Sequence, residues 1–202
     1  MRQRKLKWSE DFLATSPLIL REEPFNLPKP LELEIGCGKG DFLKEKATLN
    51  PDINFLGIDI QGSCLAIAGK KASDAELSNV HFALLKAELL KEKFPPLTFK
   101  NIYLNFSDPW PKARHEKRRL TNPKYLDLYY DLLENGGIIT FKSDNVDLFA
   151  YSVETFKNSK FKVLKVEDSY QPDSGEPLSE YEKKFRSLGQ SIGRIIATKE
   201  AD

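Results

Sequence analysis

The sequence predicts one α/β domain whose seven-stranded sheet is mostly parallel, carries helices on both faces and ends in an antiparallel strand. Its 202 residues suit a single domain with a small extension. Short apolar runs alternate with helical segments along most of the chain, which is typical of βαβ units and a parallel sheet. No long crossover helix separates the last two predicted strands, and this indicates the antiparallel final strand.

The amino-acid composition predicts a folded hydrophobic core and argues against a membrane-spanning or secreted protein. Hydrophobic residues make up 40% of the chain, and 13 are phenylalanines. No apolar run approaches the length of a membrane span, and the basic N-terminus lacks the apolar region of a signal peptide. We therefore expect a soluble, cytoplasmic protein. The spacing of Cys37 and Cys64 indicates neither a disulfide framework nor a zinc site. His81 and His115 have no partner spacing that suggests a metal.

Residues 1–30 are expected to form a basic tail and a short helix ahead of the main domain, residues 31–202. Ser9 is the expected N-cap of a helix over residues 9–21. Residues 22–30 contain three prolines and form a connector.

The first half of the main domain begins with an alternating strand, Leu31–Ile35. The tight turn Gly36–Gly40 then leads into a helix over residues 41–49. A strand over residues 53–59, a helix over 62–76 and a strand over 79–85 complete this half.

The second half continues the alternation with a fourth strand over residues 101–106. Thr121 or Asn122 caps a helix that runs to Leu133, and Gly136-Gly137 is expected to end it. The remaining predicted elements are a strand over 138–142, a helix over 145–158, a strand over 161–166, a polar loop over 168–180, a short helix over 181–188 and a last strand over 191–198.

Residues 101–121 place a carboxylate, a large aromatic ring and a cationic run after the fourth strand. Asp108-Pro109-Trp110-Pro111 cannot continue a strand or begin an ordinary helix, because each proline removes a backbone donor and restricts its neighbour. Ligands bind at this end of the strands in open α/β sheets. The run adds five cations and Glu116, which we expect to pair with a neighbouring arginine; the cations are Lys112, Arg114, Lys117, Arg118 and Arg119.

The glycine turn predicts a ligand other than a dinucleotide. In Glu34-Ile35-Gly36-Cys37-Gly38-Lys39-Gly40 the third glycine comes one residue early for the dinucleotide pattern. Asp41 at the helix start and Glu34 before the turn would both repel a pyrophosphate. A zwitterionic amino-acid group or a sulfonium fits better. A glycine turn needed only for helix–sheet packing is the alternative.

Asp59 ends the second strand, where a carboxylate can bind both hydroxyls of a ribose. The acid, the Gly-x-Gly-x-Gly turn and the second acid together resemble the class I S-adenosylmethionine-dependent methyltransferases, which have a Rossmann-like fold. This resemblance implies S-adenosyl-L-methionine as the cofactor.

A more specific resemblance lies in Asn105–Lys112 and Arg114–Leu120, which are similar to the tRNA (guanine-N7)-methyltransferase family. Phe141–Asn145 looks like the motif of that family after the fifth strand. Ser179–Phe185 is similar to its Thr-x-Tyr-Glu segment, with serine in place of threonine. The likeness covers roughly residues 30 to 198.

The resemblance implies roles for particular residues. Glu34 and Asp59, with the turn glycines Gly36, Gly38 and Gly40, would contact the methyl donor. Asp108 would be the acid at the catalytic centre and lie against the donor. The tRNA would be contacted by Lys112, Asp144, Ser179, Glu180, Tyr181 and Glu182. Lys86 departs from the family pattern, because it stands where an acid is usual near the donor's adenine, with Glu88 nearby.

The chemistry is consistent with these roles. Guanine N7 already has an exposed lone pair, so the enzyme chiefly has to align the reactants and stabilise positive charge on the ring. A carboxylate suits both tasks, and the sequence does not divide them between Asp108 and Asp144. Trp110 could stack on a base or pack as a wall of its loop. Arg114, Lys117, Arg118 and Arg119, with Lys112, offer phosphate contacts.

The sequence leaves two alternative functions to be weighed against methylation of guanine N7. Ser-Asp-Pro-Trp loosely resembles the loop of exocyclic-amine methyltransferases, although Trp110 stands where their second proline belongs. A non-catalytic RNA-binding module is the other alternative, and a calorimetric test of donor binding separates it. The resemblance implies guanine 46 of the tRNA variable loop as the target. Monomer and homodimer both remain open.

Overall fold

The computed structural model describes residues 6–21, 25–96 and 98–200. Arg2, Arg4 and Lys5 of the predicted basic tail and Pro24 of the connector lie outside these residues. Along the chain the elements are α1 (Ser9–Thr15), β1 (Ile19–Leu20), β2 (Leu31–Ile35), α2 (Asp41–Leu49), β3 (Asn54–Asp59), α3 (Gly62–Asp74), β4 (Val80–Leu84), α4 (Leu90–Lys93), β5 (Phe99–Asn105), α5 (Pro123–Leu132), β6 (Leu133–Ser143), α6 (Val146–Lys157), β7 (Lys162–Glu167), α7 (Glu180–Ser187) and β8 (Gly193–Thr198). Two 3₁₀ helices, Ala87–Leu89 and Ala113–Arg118, complete the set.

The strands form one sheet in the order β1-β4-β3-β2-β5-β6-β8-β7. Among the strands of the described residues, β8 alone runs antiparallel to its neighbours, β6 and β7. The predicted α/β class, the mostly parallel sheet and the antiparallel last strand are confirmed. Within the described ranges the sheet has eight strands rather than seven, because Ile19 and Leu20 pair with β4 at the sheet edge.

The strand order reverses at β2, and this creates the crevice in which ligands bind in open α/β sheets. The chain runs outward from β2 through β3 to β4 and then returns to place β5 on the other side of β2. The carboxyl ends of β2 and β5 therefore lie side by side, and the two loops that follow them face one opening.

Two apolar clusters cover the two faces of the sheet. One packs Leu31, Leu33 and Ile35 of β2 against the side chains of α5 and α6. The other packs α2 and α3 against β3 and β4, with Phe12 and Leu13 of α1 at its border. Because side chains alternate along a strand, Glu32 and Glu34 of β2 point to the second face.

The predicted helix over residues 9–21 is too long. It ends at Thr15, since Ser16 precedes Pro17 and adopts extended dihedrals (φ −66°, ψ 133°). Ser9 is the first helical residue and not the N-cap, a position held by Trp8. The hydroxyl of Ser9 donates to the Leu6 carbonyl at 2.7 Å.

The helix predicted to run to Leu133 is confirmed within one residue, but the predicted glycine stop at Gly136-Gly137 is wrong. α5 ends at Leu132, and Leu133 already has the extended dihedrals of β6. Asn122 is its N-cap, as one of the two predicted candidates. Gly136 has a φ of +75° but lies inside β6, which begins five residues earlier than predicted.

Two short segments have structure that the sequence did not predict. Residues 87–93 form a 3₁₀ turn followed by the single-turn helix α4. The basic run, for which no helix or strand was predicted, contains a 3₁₀ helix over Ala113–Arg118. The fourth predicted strand ends at Asn105, because Phe106 takes a φ of +54° and turns the chain away from the sheet.

None of the helices in the described ranges is long and apolar enough to span a bilayer.

Candidate active site

The glycine turn after β2 is held by the neighbouring strand. The amides of Gly36 and Cys37 both donate to the carbonyl of Ile58, at 2.8 and 3.1 Å. Gly36, Gly38 and Gly40 all have positive φ values of 76°, 54° and 74°, which side chains rarely tolerate. At Gly40 a β-carbon would also meet the β-carbon of Ala68 at 2.6 Å. The turn therefore brings α2 close to α3 and leaves open space above Gly36 and Gly38.

Glu34 is buried at the end of β2 with one oxygen unpaired. Its Oε1 accepts from Nδ2 of Asn105 at 2.8 Å, across the β2–β5 junction. Its Oε2, Oδ1 of Asn105 and Oγ of Ser107 are buried and have no hydrogen-bond partner among the described residues. Buried polar atoms are seldom left unpaired, and each such atom needs an explanation. Three unpaired acceptors on these neighbouring chain segments suit a cationic ligand with several N–H donors.

Burial raises the pKa of Glu34 from the ordinary 4.5 to about 8. Loss of solvation disfavours the carboxylate, the hydrogen bond from Asn105 opposes the rise, and the charge of Asp59 adds to it. A positive ligand group beside Oε2 would restore the ionised form.

Asp59 ends β3 with its carboxylate fixed by two backbone amides. Gly38 donates to Oδ2 at 2.9 Å and Gln61 donates to Oδ1 at 2.8 Å. Each oxygen keeps a lone pair for a further donor such as a ribose hydroxyl. Ile60 follows with 68% of its surface exposed, which provides an apolar surface next to the acid.

The loop that carries Asp108 is braced from two sides. The amide of Phe106 donates to the Lys142 carbonyl at 2.9 Å, which ties the loop to β6. The guanidinium of Arg119 donates to the carbonyls of Pro109 and Trp110, at 3.1 and 3.2 Å. Trp110 has a φ of +42°, a conformation uncommon outside glycine. Asp108 itself is exposed at the top of this loop.

The basic run divides into an outward set and one inward residue. Lys112, Arg114, Lys117 and Arg118 are exposed, and the guanidinium carbon of Arg118 lies 4.8 Å from the Trp110 ring centre. Arg119, expected to contact phosphate, is instead committed to the Asp108 loop and lies over the ring of Tyr151 at 4.4 Å. The expected pairing of Glu116 with an arginine is wrong, because its carboxylate accepts from the Tyr151 hydroxyl at 2.9 Å.

The first turn of α7 lies against the glycine turn. Ser179 caps the helix by accepting from the amide of Glu182 at 3.1 Å. Glu180 pairs with Lys39 of the turn at 2.8 Å. Tyr181 is 51% exposed and lines the same cleft. Glu182 is only 1% exposed, so it faces the interior and not the cleft.

Two further predicted residues flank this region at other strand ends. Asp144 directly follows β6 and is half-buried, next to Asn145, which caps α6. Lys86 is exposed ahead of the 3₁₀ turn after β4. Glu88 points toward α5, where it accepts from the hydroxyl of Tyr125.

The structure therefore brings Glu34, the turn glycines and the first turn of α7 into one cleft. Twelve residues line it: Glu34, Gly36, Cys37, Gly38, Lys39, Gly40, Asp41, Phe42, Asn105, Ser179, Glu180 and Tyr181. Asp59, Lys86, Asp108, Lys112 and Asp144 lie outside this lining, at or after strand ends. Asn105 and Lys39 were missed as site residues. A polar residue at the end of a buried strand was the available signal for Asn105.

In the described part of the chain, no group of three or more His, Cys, Asp or Glu side chains is arranged to hold a metal ion.

Comparison with solved structures shows the fold. A methyltransferase described as antibiotic-related superposes with a TM-score of 0.65 at 18% identity, covering 99% of this chain and 97% of the other. The 16S rRNA methyltransferase KamB gives a TM-score of 0.65 at 14% identity, covering 85% and 88%. The Rossmann-like class I methyltransferase fold is confirmed.

Sequence comparison is more specific. A family model described as a putative methyltransferase matches residues 28–195. The tRNA (guanine-N(7)-)-methyltransferase of Bacillus subtilis is 40% identical over 206 residues, which cover 96% of this chain and 97% of the relative. The protein of the same name from Lactococcus lactis subsp. cremoris is 41% identical, covering 98% and 97%. This chain therefore belongs to the tRNA (guanine-N7)-methyltransferase family.

Proposed function

We propose that this protein transfers a methyl group from S-adenosylmethionine to N7 of a guanine in tRNA, at position 46 of the variable loop. One observation carries the proposal: a cleft with unpaired buried acceptors is shared by the glycine turn and by the first turn of α7. Relatives about 40% identical over nearly the whole chain have the name of this activity.

The acceptor atoms fit the amino-acid end of the donor. Oε2 of Glu34, Oδ1 of Asn105 and Oγ of Ser107 would receive the hydrogens of its ammonium group. Binding would pair these buried atoms and ionise Glu34. The open space above Gly36 and Gly38 admits the donor close to the backbone.

Asp59 fits the ribose end. Its carboxylate is already oriented by Gly38 and Gln61, so it would accept two hydroxyl hydrogens without reorganisation. When bound, S-adenosylmethionine supplies an electrophilic methyl group on a sulfonium.

On the acceptor side, the carboxylates orient the guanine. N7 needs no deprotonation, so a side chain contributes by accepting from the N1–H and N2–H groups and by offsetting positive charge on the ring. Asp108 is exposed on a braced loop, and we assign it this role at the catalytic centre. Asp144, at the next strand end, would hold the substrate beside it.

The outward cations would hold the tRNA backbone. Lys112, Arg114, Lys117 and Arg118 are exposed beside the Asp108 loop, and phosphate contacts of this kind position a nucleic acid without reading its sequence. Trp110 is packed by Arg118 and by His115, whose ring centre lies 5.6 Å away. It therefore serves as a wall of the loop.

The site of methylation tests this proposal directly. Unmodified tRNA is incubated with labelled donor, and the product is treated with aniline, which breaks the chain at N7-methylguanosine. We expect label in the RNA and one break in the variable loop, and none in a tRNA that has adenine there. Labelled RNA that aniline leaves intact would instead indicate methylation of another atom, such as an exocyclic amine.

Asp108→Ala separates the acceptor side from the donor side. We expect turnover to fall by about a thousandfold, because the charge that faces the guanine is lost. Donor affinity, measured by calorimetry, should stay within about threefold, since Glu34 and Asp59 are untouched. A parallel loss of donor binding would place Asp108 in the donor site.

A further inference from the structure

Lys142 is a buried lysine two residues before Asp144, and its ammonium group is surrounded by acceptors. The side chain is 3% exposed. Nζ lies 2.6 Å from the Tyr170 hydroxyl and 3.2 Å from both Oε1 of Glu176 and Oε2 of Glu182. A buried charge is tolerated only when it is paired and hydrogen-bonded, and this one is paired with carboxylates from two separate segments.

Glu182 connects this ammonium group to the substrate-side helix. Its Oε1 accepts from the Tyr170 hydroxyl at 2.7 Å and from Nη2 of Arg186 at 2.9 Å. Its own amide donates to Oγ of Ser179, the cap of α7. The buried network therefore holds the turn of α7 that presents Glu180 and Tyr181 to the cleft.

The main chain of Lys142 holds the other half of the site. Its carbonyl accepts from Phe106, at the start of the Asp108 loop. The ring of Phe106 lies 5.7 Å from the ring of Phe185 in α7. A single residue of β6 thus contacts both the loop with Asp108 and the helix with Tyr181, and it is two residues from Asp144.

We propose that Lys142 is a positioning residue, which fixes the first turn of α7 relative to Asp108 and Asp144 without contacting either substrate. The inference rests on the proposed function for its catalytic consequence. Its structural part, the fastening of α7 through Glu182, is independent of what the enzyme methylates.

The test compares two buried lysines at opposite ends of the paired strands β6 and β8. Lys142→Met removes the ammonium group from the network and leaves a side chain of similar length. Lys199→Met is the matched control, because Lys199 is 8% exposed and donates to the carbonyls of Tyr130 and Leu133, far from α7.

Hydrogen exchange gives a readout that does not depend on activity. We expect the amides of Glu182 and Lys183, which donate to Ser179, to exchange about tenfold faster in Lys142→Met, since the turn opens locally. In Lys199→Met these two amides should exchange as in the unchanged protein. Equal exchange in the two variants would overturn the proposal.

Steady-state kinetics test the catalytic consequence. We expect Lys142→Met to lower kcat/KM for tRNA by about a hundredfold, because small misplacements of aligned groups have effects of that size. Donor Kd should change far less than kcat/KM for tRNA, because Lys142 hydrogen-bonds no donor-side carboxylate and acts on Glu34 only through its charge. Lys199→Met should lose stability but keep kcat/KM for tRNA. A shared loss in both variants would reduce Lys142 to a stabilising residue.

If Lys142→Met does not fold, the variant Tyr170→Phe tests whether the buried network positions α7. It removes only the hydroxyl that bonds both Lys142 and Glu182, so we expect faster exchange of Glu182 and a loss in kcat/KM of about tenfold. Unchanged exchange in this variant would contradict the proposal. If the unchanged protein gives no aniline-sensitive product, the proposed function fails, whereas the exchange data still decide the role of Lys142.

Discussion

Glu34 and Glu182 are both almost fully buried carboxylates, yet their surroundings differ. Glu182 receives hydrogen bonds from Lys142, Tyr170 and Arg186. Glu34 receives one, from Asn105, and keeps an unpaired oxygen at the cleft. The fully bonded carboxylate of Glu182 is typical of a structural residue. The unpaired oxygen of Glu34 is typical of a residue that binds a ligand. The sequence placed both among the binding residues, since a motif identifies a position but not the direction of its side chain.

The pKa of Glu34 predicts a pH dependence of stability. The folded protein holds this proton up to about pH 8, whereas the unfolded chain releases it near 4.5. The stability that comes with the raised pKa is therefore full below pH 4.5 and is lost as pH rises to about 8. We expect the wild type to lose about 3 to 5 kcal/mol relative to Glu34→Gln over this interval.

Urea unfolding of the two proteins at pH 5 and pH 8 measures this difference, with buffers matched in ionic strength. Saturating donor should reduce the pH dependence of the wild type, because a bound ammonium group favours the carboxylate. Unfolding free energies that fall in parallel for the two proteins would show that Glu34 ionises normally.

At the scale of elements, the α2–α3 contact depends on the absence of a side chain at Gly40. Gly40 and Gly136 have nearly the same φ, 74° and 75°. A β-carbon at Gly40 would overlap Ala68, whereas one at Gly136 would meet nothing within 4 Å. Substitution of each glycine by alanine thus separates the effect of backbone strain on stability from the effect of overpacking.

We expect Gly136→Ala to lower the free energy of unfolding by about 1 to 2 kcal/mol, from the positive φ alone. Gly40→Ala should cost about 1 to 3 kcal/mol more, because α2 must move away from α3. Chemical denaturation of both variants measures the difference. Equal losses would show that the two helices can separate freely.

Element boundaries show how far local patterns reach. Strands over residues 31–35 and 193–198 were predicted within two residues, because apolar alternation and burial agree there. The end of the helix predicted over 9–21 and the start of β6 were predicted wrongly. Leu20 and Leu133 are extended because they pair with β4 and β5, and no local pattern specifies a partner strand.

At the scale of the whole molecule, a net charge of +1 conceals a cationic surface beside the proposed site. When exposed cations bind tRNA phosphates, counterions are released from the RNA. Binding should therefore weaken as the salt concentration rises. For the triple variant Arg114→Ala, Lys117→Ala and Arg118→Ala, we expect the slope of log K against log salt to shrink by about 2 to 3.

A second triple variant provides the control for this measurement. Lys70, Lys91 and Lys157 are also exposed but are paired with Asp74, Asp131 and Glu154. Their replacement by alanine should leave the slope unchanged in filter binding from about 50 to 200 mM salt. Equal slopes for both triple variants would make the basic run a solvated surface without a role in binding.

The sequence alone determined the α/β class, the family and the strand ends at which the chemistry occurs, because apolar periodicity and contiguous motifs are local properties of a chain. The tertiary structure decided which atoms face the cleft. It turned Glu182 and Arg119 inward, paired Glu34 with Asn105 and gave Lys142 contacts with segments up to 40 residues away. Those assignments depend on long-range packing, on burial that removes solvent from charges, and on hydrogen bonds between segments that no spacing along the chain specifies.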